Sequence, residues 1–408
     1  MTTIRNAEID DDLFSAAAIG DPYAYFGQLR SQDPVHWNPQ LNLWLVTSYE
    51  DVTSVLRQPQ VFSSAIVEDG APAFPPIAPG DEAELAYVRA NLRKRITHTD
   101  APDHRPMRSA LQPYFTAAAV ENWRDMIRSA CASLLDAIGE RRELDVLREL
   151  AVPLPLNVIS EMMAIPQEDR PWVRKVAEHL LTGPRASRSR IRELADAMRQ
   201  MYDYVAPLAD QRRSTPGDDL ISIVMRAEAE GVLTREVALQ NIILFIVAGH
   251  ETTMNLICNG LLAFVRNPDQ WDRLREDPVH LVGGAVEECL RYDPPVKSVE
   301  RVATRDVQLR DKTIRAGDRL RWFISSANRD PERFDDPDTF DITRSPNPHL
   351  AFGYGIHLCM GAWLARIEAQ EVFTALANRC ERLELVTDPI EYVPAPDLRS
   401  IKQLTLRW

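Results

Sequence analysis

A mainly α-helical fold with a smaller β region is what this 408-residue chain predicts, and three observations carry it. From 114 to 232 the apolar residues recur at helical spacing, interrupted at Pro153 and Pro155, around Gly183-Pro184 and at Pro216-Gly217. A further helical stretch, from Thr234 to Arg266, continues for about thirty residues, roughly 45 Å at the usual rise. Strand-like alternation is confined to the ends: PVHWNPQLNLWLVTSYEDV at 34–52, and the turn-rich region after 294. Helices in a block with strands at the edges exclude a repeating βαβ design.

Taken in order, the opening residues MTTIRNAEIDDDLF carry acids where a secretory signal or an anchor needs an apolar run. The longest such run, Ile242 to Ala248, is far short of a membrane span, so a cytoplasmic location without a membrane partner is expected. Residues 66–90 hold Pro and Gly clusters that cannot continue a helix, and so long a loop in a compact protein is a functional candidate. The long helix has Thr234 as its N-cap and ends before Asn267-Pro268. After the strands come a proline-punctuated coil at 330–348, a glycine-rich stretch, a helix to about 380, and terminal strands ending at Trp408. No repeat or low-complexity tract divides the chain, so one domain over 1–408 is expected.

The formal charge of −13 argues against nucleic acid as a partner but leaves room for a local basic patch. The five cysteines are scattered and form no C-x-x-C pair, which fits neither a disulfide framework nor a zinc knuckle. Cys131, Cys258, Cys289 and Cys380 sit in apolar helical surroundings and read as inert thiols.

Cys359 stands apart, within AFGYGIHLCMGAWLARIEAQ at 351–370. A thiolate ligand must be kept ionised by backbone N–H groups and by the positive end of a helix. Gly353 and Gly355 permit the positive φ that folds a loop around a sulfur, and Gly361 leaves room for something flat beside the first helical turn. A second anomaly lies in the long helix. There IILFIVAGHETTMN is apolar all round until Gly249, His250, Glu251, Thr252 and Thr253, a polar island that needs partners or work.

The run Phe352-Gly353-Tyr354-Gly355-Ile356-His357-Leu358-Cys359-Met360-Gly361 resembles the haem-ligand signature of the cytochrome P450 superfamily, of the soluble bacterial type. The resemblance implies haem b with Cys359 as the iron ligand, lying between the long distal helix and the ligand loop. Phe352, Gly353 and Gly361 would shape that loop. Ala248-Gly249 resembles the oxygen-binding segment, with Glu251 and Thr252 as the acid–alcohol pair that delivers protons. Glu288 and Arg291 match the family's Glu-x-x-Arg, and Arg344 its third structural member. His104, Arg108, Arg301 and His357 match the groups that hold the haem propionates; His349 fits the pattern but is assigned no contact, and His250 stays open.

The implied activity is a monooxygenase reaction using O2, with electrons from a ferredoxin or flavodoxin and its NAD(P)H-dependent reductase, in a monomer. Arg105 and Arg366 are the candidate steering charges for that partner. Phe74, Ile77, Leu180, Leu181, Ile243, Leu244, Val296 and Val299 suggest an apolar lining for a small substrate. Lys297, four residues before Arg301, is open between a substrate carboxylate, a propionate and solvent. Peroxygenation, ring coupling, dehydration and a non-catalytic haem sensor are the competing readings; Glu251-Thr252 favours oxygen activation.

Overall fold

In a computed structural model, residues 9–66, 78–182 and 191–408 are described. The helix Arg235–Arg266 spans 32 residues, and its Thr234 hydroxyl accepts from the Val237 N–H as the predicted cap. By length and composition alone it could cross a membrane, yet 72% of its most apolar window is buried in the fold. It packs against helices Pro153–Met162, Ile191–Ser214, Leu220–Ala229, Pro278–Tyr292 and Ala362–Ala377. That burial explains why its sequence is apolar on every face rather than on one stripe.

Among the described residues ten strands flank the helices: β1 Val35–Asn38, β2 Leu43–Val46, β3 Phe62–Ser63, β4 Glu143–Asp145, β5 Ser298–Ala303, β6 Val307–Leu309, β7 Lys312–Ile314, β8 Arg319–Phe323, β9 Glu384–Leu385 and β10 Thr405–Arg407. The main sheet has the order β1-β2-β8-β5-β3, with β2 and β8 parallel and the other pairs antiparallel. Strand β10 lies between β4 and β9, and β6 pairs with β7. Asn42, at φ 52°, turns the predicted hairpin between β1 and β2.

The mainly α class with a small β region is therefore what the chain adopts. Two local features differ from expectation. Pro153 opens the helix Pro153–Met162 at its first position, where its missing N–H costs nothing, and so it starts a helix that the sequence reading had it break. Immediately before it, β4 and a π-helical turn at Val146–Ala151 interrupt the presumed helical run. The four cysteines read as inert are buried. Burial pushes the thiols of Cys131 and Cys380 up to about 12, and those of Cys258 and Cys289 higher.

Candidate functional site

The loop before the helix Ala362–Ala377 takes the conformation its glycines predict: Gly353 and Gly355 have φ of 74° and 73°. A Cβ at Gly355 would press to 3.1 Å on the Leu56 carbonyl oxygen, whereas at Gly361 nothing lies within 4 Å. The Cys359 N–H donates to the Phe352 carbonyl at 2.8 Å, closing the loop. The Cys359 side chain is accessible, yet burial by the surrounding loop pushes its thiol up. The Gly361 N–H, Arg108 and Arg366 act in the opposite direction, favouring the thiolate. These are the properties of a sulfur that lines a recess.

Two adjacent acids of the helix Pro278–Tyr292 fix this loop from behind. Glu288 and Arg291, both wholly buried, form a bidentate pair at 2.7 and 2.8 Å. Arg291 also donates to the carbonyls of Asn328, Pro337 and Thr339, and Arg344 to those of Asp335, Asp336 and Thr339. Arg344, Asn347 and the Asp341 N–H complete the hydrogen bonds to Glu288, so the coil after 327 is tied to one carboxylate.

Glu287 accepts from Arg366 at 2.6 and 2.9 Å and from His349 Nε2 at 3.1 Å. Burial raises the Glu287 carboxyl, but those hydrogen bonds outweigh it and hold the group at about 2. Arg366 is therefore committed to an ion pair and is no free steering charge. Of the two candidate steering charges, Arg366 is half-buried in this pair, while Arg105 lies exposed. His349, assigned no contact from the sequence, has one.

Basic side chains gather beside the loop. His104 and Arg108 share the helix His104–Leu111; the His104 and His357 rings lie 4.4 Å apart, and Arg108 donates to the Ile356 carbonyl at 3.0 Å. Arg301, on β5, is buried over the Trp322 ring, and desolvation pulls it down to about 10. Two members were missed in the sequence. Arg95 is buried and likewise drawn to about 10, and His98, desolvated and beside Arg95, Arg301 and His357, is pushed to about 3.

The run RKRITH at 93–98 was the available signal, but a basic run ordinarily marks a solvated face. Here Asn241 of the long helix accepts from the Ile96 N–H and donates to the Lys94 carbonyl, drawing the segment inward. Asp100 is the nearby anion. Despite desolvation it is held at about 2 by His357, by the Ser63 hydroxyl and by the Ser64 N–H, so it is already engaged.

His104 Nε2 and the Nε and Nη2 of Arg95 are buried without a hydrogen-bond partner within the protein. The unmet N–H groups of the buried Arg95 guanidinium call for an anionic occupant, to which His104 Nε2 can also donate. Among the described residues no three His, Cys, Asp or Glu side chains form a metal-holding group. A single accessible thiol therefore suits a metal that brings its other ligands with it. Thiol, open space at Gly361 and unmet donors together fit haem and its propionates.

The long helix is buried throughout 238–247, and from 253 to 264 apart from Met254. Between these stretches Ala248 is exposed and Gly249, Glu251 and Thr252 are half-exposed, so the polar island is a window in the buried helix. The Thr252 hydroxyl donates to the Ala248 carbonyl at 3.1 Å, which leaves its lone pairs to accept from another donor. Gly249 turns toward Ile159 of the neighbouring helix, 3.6 Å from where a Cβ would sit. A Cβ there would make only ordinary contact, so this packing does not itself require a glycine, and Ala248 is the exposed residue at the opening. His250 is buried.

Of the proposed lining residues, Leu244 lies one turn before Ala248 on the same stripe, while Ile243 is enclosed in the helical core. Val296 and Val299 are half-exposed against the sheet, and Val296 bridges to Leu398. Leu180 is buried; Phe74 and Ile77 lie outside the described residues, as does the Leu181 side chain.

Lys297 departs from the group. It is 4% exposed, bordered by Leu13, Ala18, Pro22, Tyr25, Phe26, Phe323 and Pro396, and its charged neighbours are Arg399, Asp397, Asp293 and Arg321. The structure thus turns it to the N-terminal segment, away from Arg301 and from solvent.

Burial, then Arg399, lowers Lys297 to about 8 from its usual 10.5. Below pH 8 both folded and unfolded chains hold the proton and the fold bears the full cost; between 8 and 10.5 the unfolded chain holds more, so this contribution to stability rises with pH. Lys297→Met is expected to stabilise the protein by roughly 3 kcal/mol at pH 7, with the gain fading by pH 10.5. Urea unfolding at the two pH values checks both points.

A family model described as Cytochrome P450 matches residues 175–400. The chain is 34% identical to the biotin biosynthesis cytochrome P450 of Bacillus subtilis, over 97% of this chain and 98% of that protein. It is 37% identical to the cytochrome P450 monooxygenase PikC of Streptomyces venezuelae, over 95% and 91%. Its structure resembles that of P450BioI solved with hexadec-9Z-enoic acid ligated acyl carrier protein, with a TM-score of 0.88 at 32% identity, covering 97% of this chain and all of that one.

Proposed function

This chain belongs to the cytochrome P450 family of monooxygenases, and on that premise we propose that it inserts one O2-derived oxygen atom into a small, largely apolar organic substrate while holding haem b through Cys359. The observation that carries the reading is the accessible Cys359 thiol in its positive-φ loop, together with the buried Arg95 guanidinium and His104 imidazole, whose nitrogens lack partners within the protein.

Haem bound by a thiolate supplies two-electron activation of O2 and oxygen transfer to a C–H or C=C bond, helped by the electron density that sulfur donates. The protein's part is to hold and to supply. Arg95, His98, His104, Arg108, Arg301 and His357 would hold the propionates of a bound haem, and the Phe352–Gly361 loop would favour the ionised form of Cys359. Thr252, with its proton directed to Ala248, accepts a hydrogen bond from a water in the window. Glu251 exchanges protons with solvent and passes them to that water. Leu244, Val296 and Val299 exclude water and orient the substrate, while Glu288, Arg291 and Arg344 are structural.

An aliphatic substrate accords with the half-exposed valines and with the hexadecenoyl chain in the related complex. Electrons come from a ferredoxin or flavodoxin docking on the face over Cys359, with Arg105, which is exposed, as a candidate steering charge. The protein works as a single cytoplasmic domain and as a monomer.

The test is the reduced-minus-reduced-CO spectrum of the purified holoprotein. A red-shifted Soret band is expected, and Cys359→His should retain haem but lose that band, because imidazole lacks the donation of a thiolate. An unchanged band in the variant removes Cys359 as the ligand.

A further inference from the structure

The geometry points to Glu287 as a positioning residue that sets how strongly Cys359 donates electrons; this rests on Cys359 being the haem ligand. Four contacts connect the two. Glu287 grips the Arg366 guanidinium through both carboxylate oxygens, at 2.6 and 2.9 Å. That guanidinium stacks over the Phe352 ring, 4.4 Å from its centre, and over Trp363 at 5.0 Å. The Phe352 carbonyl accepts the Cys359 N–H. Finally, Arg366 Nη1 donates to the Ala362 carbonyl at 3.5 Å, at the start of the helix that follows Cys359.

The same carboxylate is locked from a second side. His349 Nδ1 accepts the Ala351 N–H at 3.2 Å, so its proton sits on Nε2 and is donated to Glu287. Glu287 therefore cannot swing away without freeing a half-buried guanidinium and a buried imidazole.

An unpaired cation beside a thiolate holds electron density on the sulfur and lessens what reaches the metal. A carboxylate bonded to that cation cancels most of its field, and the cancellation is strong where water is excluded. The adjacent acid Glu288 is directed elsewhere, because its partners Arg291 and Arg344 bind backbone carbonyls of the coil. Glu287 thus acts on the ligand's electronics while Glu288 acts on its framework.

The experiment is a reduction-potential titration of the substrate-free holoenzyme in four forms: parent, E287Q, R366M and the double variant. Unmasking Arg366 should shift the potential of E287Q positive, and removing the cation should shift R366M negative. The double variant removes both charges together and should return close to the parent potential. A double variant displaced as far as either single one would mean that Glu287 acts only by holding the fold, and would overturn the inference.

An unshifted E287Q that keeps the red-shifted CO band would overturn it too. If E287Q loses that band, R366M against the double variant decides alone: a double variant more positive than R366M supports the inference and equal potentials end it. A parent enzyme without the band fails the haem-ligand reading instead, so the two failures are told apart.

Discussion

Arg291→Met is expected to cost the fold about 3–5 kcal/mol, because it strands the wholly buried Glu288 carboxylate without its charge partner. The loss is not confined to one ion pair. Arg291 also satisfies three backbone carbonyls, at Asn328, Pro337 and Thr339, and a methionine can donate to none of them. Against a total stability of about 5–15 kcal/mol, such a change removes a large share of what holds the protein folded. The urea midpoint and the haem content of the soluble fraction measure it. Replacing Glu288 by Gln together with Arg291→Met should cost less than the sum of the single changes, since the stranded charge is then gone. A single Arg291→Met variant as stable as its parent would show that the network is dispensable.

Thr252→Ala should uncouple the enzyme without disabling it. The hydroxyl donates to Ala248, so what disappears with it is an acceptor in the window, the group that holds a water in place. Haem binding, substrate binding and the first reduction do not pass through this hydroxyl and should be unchanged. Reductant consumption should continue, with less product per electron pair and more hydrogen peroxide released. Glu251→Gln has a different signature: turnover slowed by up to about 10²-fold, with product still formed for the electrons consumed. Product and peroxide measured against NAD(P)H oxidised separate the two outcomes. Full coupling in Thr252→Ala would mean that protons arrive by another route, such as Thr253 or a hydroxyl of the substrate.

The features legible in the sequence share one property: their partners are close in the chain or their backbone demand is intrinsic. Thr234 caps a helix three residues away, Gly353 and Gly355 declare a positive φ, and Glu288 meets Arg291 one turn on. What could not be read depends on distant segments. Arg95 and His98 look like a solvated run until Asn241, more than a hundred residues later, draws their backbone against the long helix. Arg366 looks free until Glu287, 79 residues earlier, closes on it.

Lys297 shows how a correct local rule can fail. Alternation from Arg301 aims it at the haem side, but its N–H bonds to the Asp397 carbonyl and the chain before β5 turns it toward the N-terminal helices. The strand β4 was missed for the same reason: three residues suffice only because β10, at the far end of the chain, pairs with them.

The neighbouring carboxylates of Glu287 and Glu288 also bear on how accurately a reactive atom can be located. Between Asn328 and Gly361 the chain is almost wholly irregular, and along such a path small torsional errors would compound with every residue. The path is not measured from one end. Glu288 fixes its beginning through Arg291 and Arg344, and Glu287 fixes the helix beyond it through Arg366 and its last residues through His349. Both ends are thus surveyed from a single helical turn that serves as a common benchmark, so the deviation at Cys359 is bounded by a few side-chain contacts and does not grow with the length of the coil. Insertions or substitutions between the fixed points can then alter the outer surface while the sulfur keeps its place.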